Sequence, residues 1–261
     1  MTLLGAYLKG RRGRVSPDEA GLTPSGRRRV PGLRRDELAR LAGLSERYLT
    51  RLEQGIDHNP SPQVLQALAT ALKLSPDETG HLFALATAPS VPSAPGEQTV
   101  GLAEIQQLVD SWPSSPAYVR DQHFDVVVAN KLALALSPLY TPGQNLVRGI
   151  FLDPAARELF PDWPDIAAQT AAALRAEADL RAPRTARLVD ELLTDDAFRE
   201  LWDKHDVRPT RNELKRFDHP VVGPLSLRRQ SLSVAGADGL VVITYHAEPS
   251  SPSADALARL L

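Results

Sequence analysis

The stretch that decides the fold lies at residues 33–55 and reads LRRDELARLAGLSERYLTRLEQG. Its apolar residues recur at the i, i+3 and i+4 spacing of two short amphipathic helices. They are Leu38, Leu41 and Ala42 in the first predicted helix and Leu49 and Leu52 in the second. Gly43 supplies the backbone freedom for a tight turn, and Ser45 is a residue type that caps the helix after it. The stretch therefore predicts a helix-turn-helix.

The outer face of the second predicted helix is polar. It carries Glu46, Arg47, Tyr48, Thr50 and Arg51. A helix that reads a major groove needs such a face, since arginine donates to both acceptors of guanine and glutamate accepts from the cytosine amino group. The pattern predicts sequence-specific binding to a double-stranded DNA operator, with a plain helical hairpin inside an all-α core as the alternative.

The same stretch resembles the helix-turn-helix of XRE-type regulators, the Cro and phage-repressor group. The matching segments are Leu38-Ala39, Gly43-Leu44-Ser45 and Leu49 to Gly55. The resemblance implies a lambda-repressor-like all-α domain in which the start of the second helix and a residue one turn later contact bases. Arg35 stands where such regulators often carry glutamine, and an arginine there suits a phosphate better. The candidate DNA-binding residues of this stretch are Arg35, Ser45, Glu46, Arg47, Tyr48, Thr50 and Arg51.

Charge is distributed unevenly along the chain. The net charge of the 261 residues is −2, but residues 1–95 carry +4 and the remainder −6. A local excess of positive charge is what contacts with DNA phosphates require. Arg27, Arg28 and Arg29 predict a basic loop that follows the DNA backbone or enters a narrow minor groove, with a solvated loop as the alternative.

The composition predicts two domains joined by a proline-rich linker. We expect the helix-turn-helix domain at 1–88, the linker at 89–100 and a second domain at 101–261. In the second domain, helical patterns fill the region between two groups of strand-like runs. These runs are 117–120, 124–129, 214–217, 225–234 and 240–246. They predict an α+β domain with one antiparallel sheet and helices on one face.

The second domain resembles the PAS-like ligand-binding domain of MmyB-like transcription regulators. The stretches that carry this resemblance are Pro116 to Val119, Asp125 to Asn130, Phe151 to Arg157, Phe160 to Trp163, Leu201 to Arg208 and His219 to Leu225, together with Arg28 to Arg35 near the start. Ala129 departs from the family, which commonly has tryptophan there; if that tryptophan shapes the pocket, the ligand here is bulkier or different. The resemblance implies a bacterial transcription regulator that binds a small apolar molecule, with fatty-acid-like ligands as the leading candidates.

Candidate ligand-binding residues are apolar side chains on the predicted strands and facing helices. They are Tyr118, Phe124, Val126, Val128, Phe151, Trp202, Val207 and Tyr245. For each of them a place in the hydrophobic core is the alternative. Candidate partners for a carboxylate head group are Arg148, Arg157, Lys215 and Arg228. A second hypothesis is that this domain recruits a partner protein instead of a metabolite, which a large exposed apolar patch would favour.

Other classes of protein are disfavoured by composition. The chain has no cysteine, which excludes disulfides and cysteine-ligated zinc. It has no run of about 18 apolar residues to cross a membrane and no secretion-signal pattern, so we expect a cytoplasmic protein without a membrane partner. Six histidines stand singly, without metal-site spacing or a catalytic motif, so we expect no metal, no enzyme and no cofactor beyond a bound fatty acid. We expect a homodimer, because two half-sites lie about 34 Å apart on DNA.

Overall fold

The computed structural model describes residues 2–22, 30–57, 59–87, 101–237 and 239–261. The chain divides into two compact units. The first is Met1–Pro92 with Trp202–Arg208, and the second is Ser93–Leu201 with Pro209–Leu261. The predicted basic loop Arg27 to Arg29 and the predicted linker at 89–100 lie outside the described residues.

The predicted helix-turn-helix is confirmed. The described N-terminal helices are α1 (Leu3–Arg14), α2 (Arg35–Leu41), α3 (Glu46–Gln54), α4 (Pro62–Ala71) and α5 (Pro76–Ala86). Gly43, between α2 and α3, has a φ of 66°, a left-handed conformation that glycine adopts without strain. A serine caps the N-terminus of each of α3, α4 and α5. The side chains of Ser45, Ser61 and Ser75 each accept a hydrogen bond from a backbone amide in the first turn of the helix that follows.

The buried stripe of α2 differs from the prediction at one position. Leu38, Ala39 and Ala42 are buried, whereas Leu41 is 36% exposed. Successive residues of a helix are rotated by about 100° around its axis. Relative to Leu38, Ala42 is rotated by about 40° and Ala39 by about 100° in the same direction, whereas Leu41 is rotated by about 60° in the opposite direction. The core of the first unit therefore contacts a face that excludes Leu41.

The second unit is built on one five-stranded antiparallel sheet, which confirms the predicted α+β class. Its strands are β1 (Ala117–Arg120), β2 (Val126–Ala129), β3 (Glu213–His219), β4 (Gly223–Ser233) and β5 (Val241–His246), in the order β2-β1-β5-β4-β3. The remaining helices are α6 (Leu102–Asp110), α7 (Lys131–Leu136), a 3₁₀ turn at Pro138–Tyr140, α8 (Leu146–Leu152), α9 (Pro154–Leu159), α10 (Trp163–Glu177), α11 (Pro183–Leu192), α12 (Asp196–Asp203) and α13 (Pro252–Ala258).

Helices cover both faces of the sheet, whereas the sequence predicted helices on one face. On the outer face, Val119, Val128 and Val242 form a core with Ile105 and Val109 of α6. The inner face carries the other set of strand residues and packs against helices including α9 and α10. Every residue of β1 is buried, as expected of a strand that is covered on both sides. Among the described helices, none combines the length and apolarity needed to cross a bilayer.

Candidate functional site

The first candidate site is the outer face of α3. Leu49 and Leu52 are fully buried, so the opposite side of the helix, with Glu46 and Arg47, is exposed. Tyr48 and Thr50 are half-buried beside it. The Oγ of Ser45 accepts a hydrogen bond of 3.2 Å from the backbone N–H of Tyr48, which anchors the first turn of the helix. Such a face has the shape and the donors that a major groove accepts.

The two arginines of α3 differ in their partners. Arg51 donates from Nε and Nη2 to the two carboxylate oxygens of Asp57, at 2.8 and 2.9 Å. This hydrogen-bonded ion pair raises the pKa of Arg51. Arg47 is exposed and forms no ion pair with any residue that the structure describes. Arg47 is therefore free to meet a base, whereas Arg51 must first leave Asp57.

Glu53 ties the helices of this unit together. Its carboxylate is 2% exposed, and its two oxygens lie 2.7 Å from Nε of Arg12 on α1 and 2.6 Å from Nε of Arg35 on α2. Arg12 also donates from Nη1 to the carbonyl of Leu33 at 2.8 Å. Part of the Arg35 side chain remains exposed, so its contact with a DNA phosphate stays a prediction.

The second candidate site lies on the inner face of the sheet, where strand pairing brings distant residues side by side. Tyr245 pairs with Arg229, and Arg229 pairs with Glu213. Lys215 lies two residues after Glu213 on β3. Tyr118 of β1 pairs with Ile243 of β5, which lies two residues before Tyr245. Because side chains alternate along a strand and paired residues share a face, all of these residues belong to the inner face.

Three tyrosines form the buried centre of this site. The rings of Tyr118 and Tyr140 are stacked with centroids 4.4 Å apart, and the hydroxyl oxygens of Tyr140 and Tyr245 lie 3.1 Å apart. Burial is the main cause that raises the pKa of all three hydroxyls above the ordinary value. They therefore stay neutral and can donate hydrogen bonds. Tyr140, which lies in the short 3₁₀ turn, is not among the residues predicted from the sequence.

A charged cluster lies beside the tyrosines. The Lys215 side chain is 5% exposed, and its Nζ lies 3.2 Å from Oε1 of Gln169 and 3.1 Å from Oε1 of Glu213. Nη2 of Arg229 lies 3.0 Å from the same Glu213 oxygen. Burial, followed by the positive charge of Arg229, lowers the pKa of Lys215 to about 8. One carboxylate thus faces two cations.

Three further predicted pocket residues lie in the second unit. Val126 is buried and pairs with Arg120, and Val127 is the extra residue of a bulge in β2. Phe124 is buried under the guanidinium of Arg120, with 4.1 Å between the guanidinium carbon and the ring centroid. Phe151 packs edge-on against Phe198, with ring centroids 5.0 Å apart. Phe151 therefore belongs to an aromatic cluster among the helices.

The other predicted pocket residues are not brought together with Tyr118 and Tyr245. Val128 is on the outer face, in the core that α6 covers. Trp202 and Val207 belong to the first unit. The eight positions thus divide among the inner face, the helical layer, the outer face and the first unit, and their contact with a ligand stays a prediction.

The four candidate partners for a carboxylate also lie in different surroundings. Arg148 is paired with Glu191 through bonds of 2.6 and 2.8 Å at the surface. Arg157 lies over a tryptophan ring, 3.7 Å from its centroid. Arg228 is exposed on the outer face. Lys215 alone among these four is buried on the inner face.

His219 has a structural environment. Its Nε2 lies 3.0 Å from the carbonyl of Ala135, and its Nδ1 accepts a hydrogen bond of 3.2 Å from the backbone N–H of Val221. These two contacts hold the ring at the β3–β4 turn. Within the described ranges, no three His, Asp or Glu side chains come together as a metal site.

Two family models match the chain. Residues 103–261 match the model of the MmyB-like transcription regulator ligand binding domain, and residues 3–82 match that of a helix-turn-helix domain. A search of curated proteins found no significant match. The two family matches confirm the resemblance that the sequence motifs indicated.

Proposed function

Since the chain belongs to the MmyB-like transcription regulators and is a DNA-binding regulator with a ligand-binding domain, we propose that its ligand is a small, apolar, fatty-acid-like molecule. The observation that carries the ligand class is the buried aromatic layer on the inner face, formed by Tyr118, Tyr140 and Tyr245. Aromatic side chains with polar tips suit a ligand that is apolar along its length and polar at one point.

In the proposed mechanism, the regulator acts as a homodimer in the bacterial cytoplasm. Two copies present two α3 helices to successive major grooves of an operator. A ligand that binds one arrangement of the two DNA-binding domains more tightly shifts the population towards it and changes operator affinity.

The ligand is tested by denaturing the purified full chain and identifying the released small molecules by mass spectrometry. A stoichiometric apolar acid would support the proposal. The same compound should then change the affinity of the full chain for an operator selected from random DNA. Unchanged operator affinity at ligand saturation would contradict ligand-controlled regulation.

The proposed division of DNA contacts has its own test. Arg47 on α3 should read a base, whereas Arg28 and Arg29 should contact phosphates. Replacing both Arg28 and Arg29 with alanine should weaken binding to all sequences and flatten its salt dependence. Identical effects of the two kinds of replacement on base preference would contradict this division.

A partner-recruiting second domain is the other candidate function. Exposed apolar residues favour it, since Leu214 and Leu232 lie exposed on the outer face of β3 and β4. A protein partner would bind this face without a metabolite, and Leu214→Ser together with Leu232→Ser would abolish that binding. Release of a stoichiometric apolar acid from the purified chain would favour the sensor instead.

A further inference from the structure

The chain enters the first unit a second time, far from the helix-turn-helix in sequence. Trp202–Arg208 belongs to the same unit as Met1–Pro92, whereas the residues before and after it belong to the second unit. We call these seven residues, Trp202–Arg208, the strap. The strap lies within the match to the ligand-binding family, which covers residues 103–261. A segment of that match is thus part of the unit that contains the DNA-binding helices.

The strap packs into a notch in α1 at Gly10. A Cβ atom at Gly10 would lie 2.1 Å from Cδ2 of the His205 ring, so only glycine leaves room for that ring. The same ring lies edge-on to Tyr7, with centroids 6.3 Å apart. His205 has a φ of 51°, a left-handed conformation that residues with a side chain adopt rarely and that surrounding contacts must hold. The His205 ring therefore has a specific place on α1.

Charged groups hold the strap beside this notch. Nη1 of Arg14 donates to Oδ1 of Asp206 and to the carbonyl oxygen of Lys204. Nη1 of Arg11 lies 3.7 Å from the same Asp206 oxygen. The residues of α1 that meet the strap share one helix face, at the i, i+3, i+4 and i+7 spacing, and they are Tyr7, Gly10, Arg11 and Arg14.

The opposite face of α1 packs on α3. A Cβ atom at Gly5 would lie 2.2 Å from the carbonyl oxygen of Glu53, so the two backbones are in close contact. Arg12 pairs with the buried carboxylate of Glu53. Around the helix axis, Gly10 is rotated by about 140° from Gly5 and by about 160° from Arg12. Helix α1 therefore lies between the strap and the helix whose outer face is the candidate DNA-reading surface.

Both ends of the strap continue into firmly held parts of the second unit. Before the strap, Phe198 of α12 is fully buried and packs edge-on against Phe151, with ring centroids 5.0 Å apart. After the strap, the backbone N–H of Thr210 donates to one carboxylate oxygen of Glu177, and the other oxygen pairs with Arg120 of β1. Only short stretches of chain separate these anchors from the strap, so a rearrangement of the second unit at either anchor pulls on the strap.

We propose that the strap couples the second unit to operator binding: docked at Gly10, it holds α1 against α3, and its withdrawal lowers operator affinity. This assignment rests on the proposed ligand control and names the segment that carries it. Docking fixes α1 before DNA arrives, so less conformational freedom is lost when α3 enters the groove. A state of the second unit that draws the strap away loses this advantage, which is the differential binding that allosteric control requires.

Gly10→Ala tests the docking in the full chain. Its added Cβ meets the His205 ring, whereas the Cβ of the matched control Gly13→Ala, in the same helix, meets no described heavy atom within 4 Å. Hydrogen-exchange mass spectrometry at pH 7 should show faster exchange of the peptide that contains residues 202–208 in Gly10→Ala only. The Kd for an operator selected from random DNA by the wild-type chain should rise about fivefold or more in Gly10→Ala and stay within about twofold in Gly13→Ala.

A second pair of variants leaves α1 unchanged, in case Gly10→Ala unfolds the first unit. Asp206→Asn removes the ion pair with Arg14, and Asp203→Asn removes the same charge from an exposed position in the strap. Comparing the two variants cancels the long-range effect of the lost charge on DNA binding. We expect faster exchange of the strap in Asp206→Asn than in Asp203→Asn. The operator Kd should be about twofold higher in Asp206→Asn, because the ion pair is partly exposed.

The outcomes separate the strap from the proposed function, because none of these measurements uses the ligand. Unchanged exchange of residues 202–208 in both Gly10→Ala and Asp206→Asn would overturn the docking. Faster exchange with unchanged operator affinity, or with tighter operator binding, would overturn the coupling role. Absence of a released apolar acid would overturn the proposed ligand, whereas weaker operator binding by Gly10→Ala would still support the strap.

Discussion

Replacing Lys215 with methionine should stabilise the second unit at neutral pH. Burial and the charge of Arg229 lower the pKa of Lys215 from 10.5 to about 8. A lowered amine pKa means that the folded chain holds the proton less tightly than the unfolded chain does. The difference from 10.5 to about 8 is about 2.5 units, which corresponds to about 3 kcal/mol of lost stability. Methionine has a similar length and carries no charge.

The free energy of unfolding gained by Lys215→Met should decrease as the pH rises. Below pH 8 both states are protonated at Lys215, so the full cost of burying the ammonium group is present. Between about 8 and 10.5 the folded chain releases the proton while the unfolded chain keeps it, so wild-type stability rises with pH. Methionine also loses the contacts with Gln169 and Glu213, each about 1 kcal/mol. The net gain expected at pH 7 is therefore about 1 kcal/mol, and above pH 10.5 the variant should be the less stable.

Urea unfolding of the ligand-free full chain at pH 7 and pH 10.5 measures this difference. The background variant Trp202→Phe leaves Trp112 and Trp163 as the tryptophans, and both belong to the second unit. Their fluorescence then follows that unit without assuming that the whole chain unfolds in one step. Lys131→Met, at an exposed lysine, is the control and should show no such pH dependence. A stability difference for Lys215→Met that is the same at both pH values would refute the reasoning.

The remaining predictions concern the first unit. Arg47→Ala should reduce operator affinity by about 1 to 3 kcal/mol and relax base preference at one position, as measured by competition binding; a uniform loss over all sequences would contradict a base contact. Asp57→Asn releases Arg51 and removes a negative charge near the DNA, so operator binding should tighten several-fold with a steeper salt dependence. Weaker operator binding would instead indicate that the ion pair with Asp57 positions Arg51. Glu53→Gln leaves Arg12, whose side chain is 12% exposed, without its counter-charge, and should lower the free energy of unfolding by about 3 kcal/mol. Thermal unfolding measures this loss, and a loss below about 1 kcal/mol would show that solvent screens the Arg12–Glu53 pair.

The helix-turn-helix could be predicted in detail because its determinants are local in sequence. Gly43 and Ser45 define the turn and the start of α3 through their own backbone and side chain. The strand-like runs were also predicted within a few residues of the observed strands. The largest shifts at a strand start are two residues: β4 is predicted from Leu225 but observed from Gly223, and β2 is predicted from Phe124 but observed from Val126. Phe124 has a φ of 67°, a left-handed conformation that a strand does not contain.

The charged cluster was not predicted, because the apolar residues of the predicted run 225–234 are out of phase with one another. Leu225 and Leu227 share a face with Arg229, whereas Leu232 and Val234 share a face with Arg228. Arg228 is the arginine of β4 predicted as a partner for a carboxylate, yet strand pairing puts Arg229 opposite Tyr245 and therefore on the inner face. A shift of one residue in the pairing of β4 with β5 would exchange the two arginines between the faces. The usual guide to the inner face, alternation of apolar and polar residues, is absent in β1, which is buried throughout.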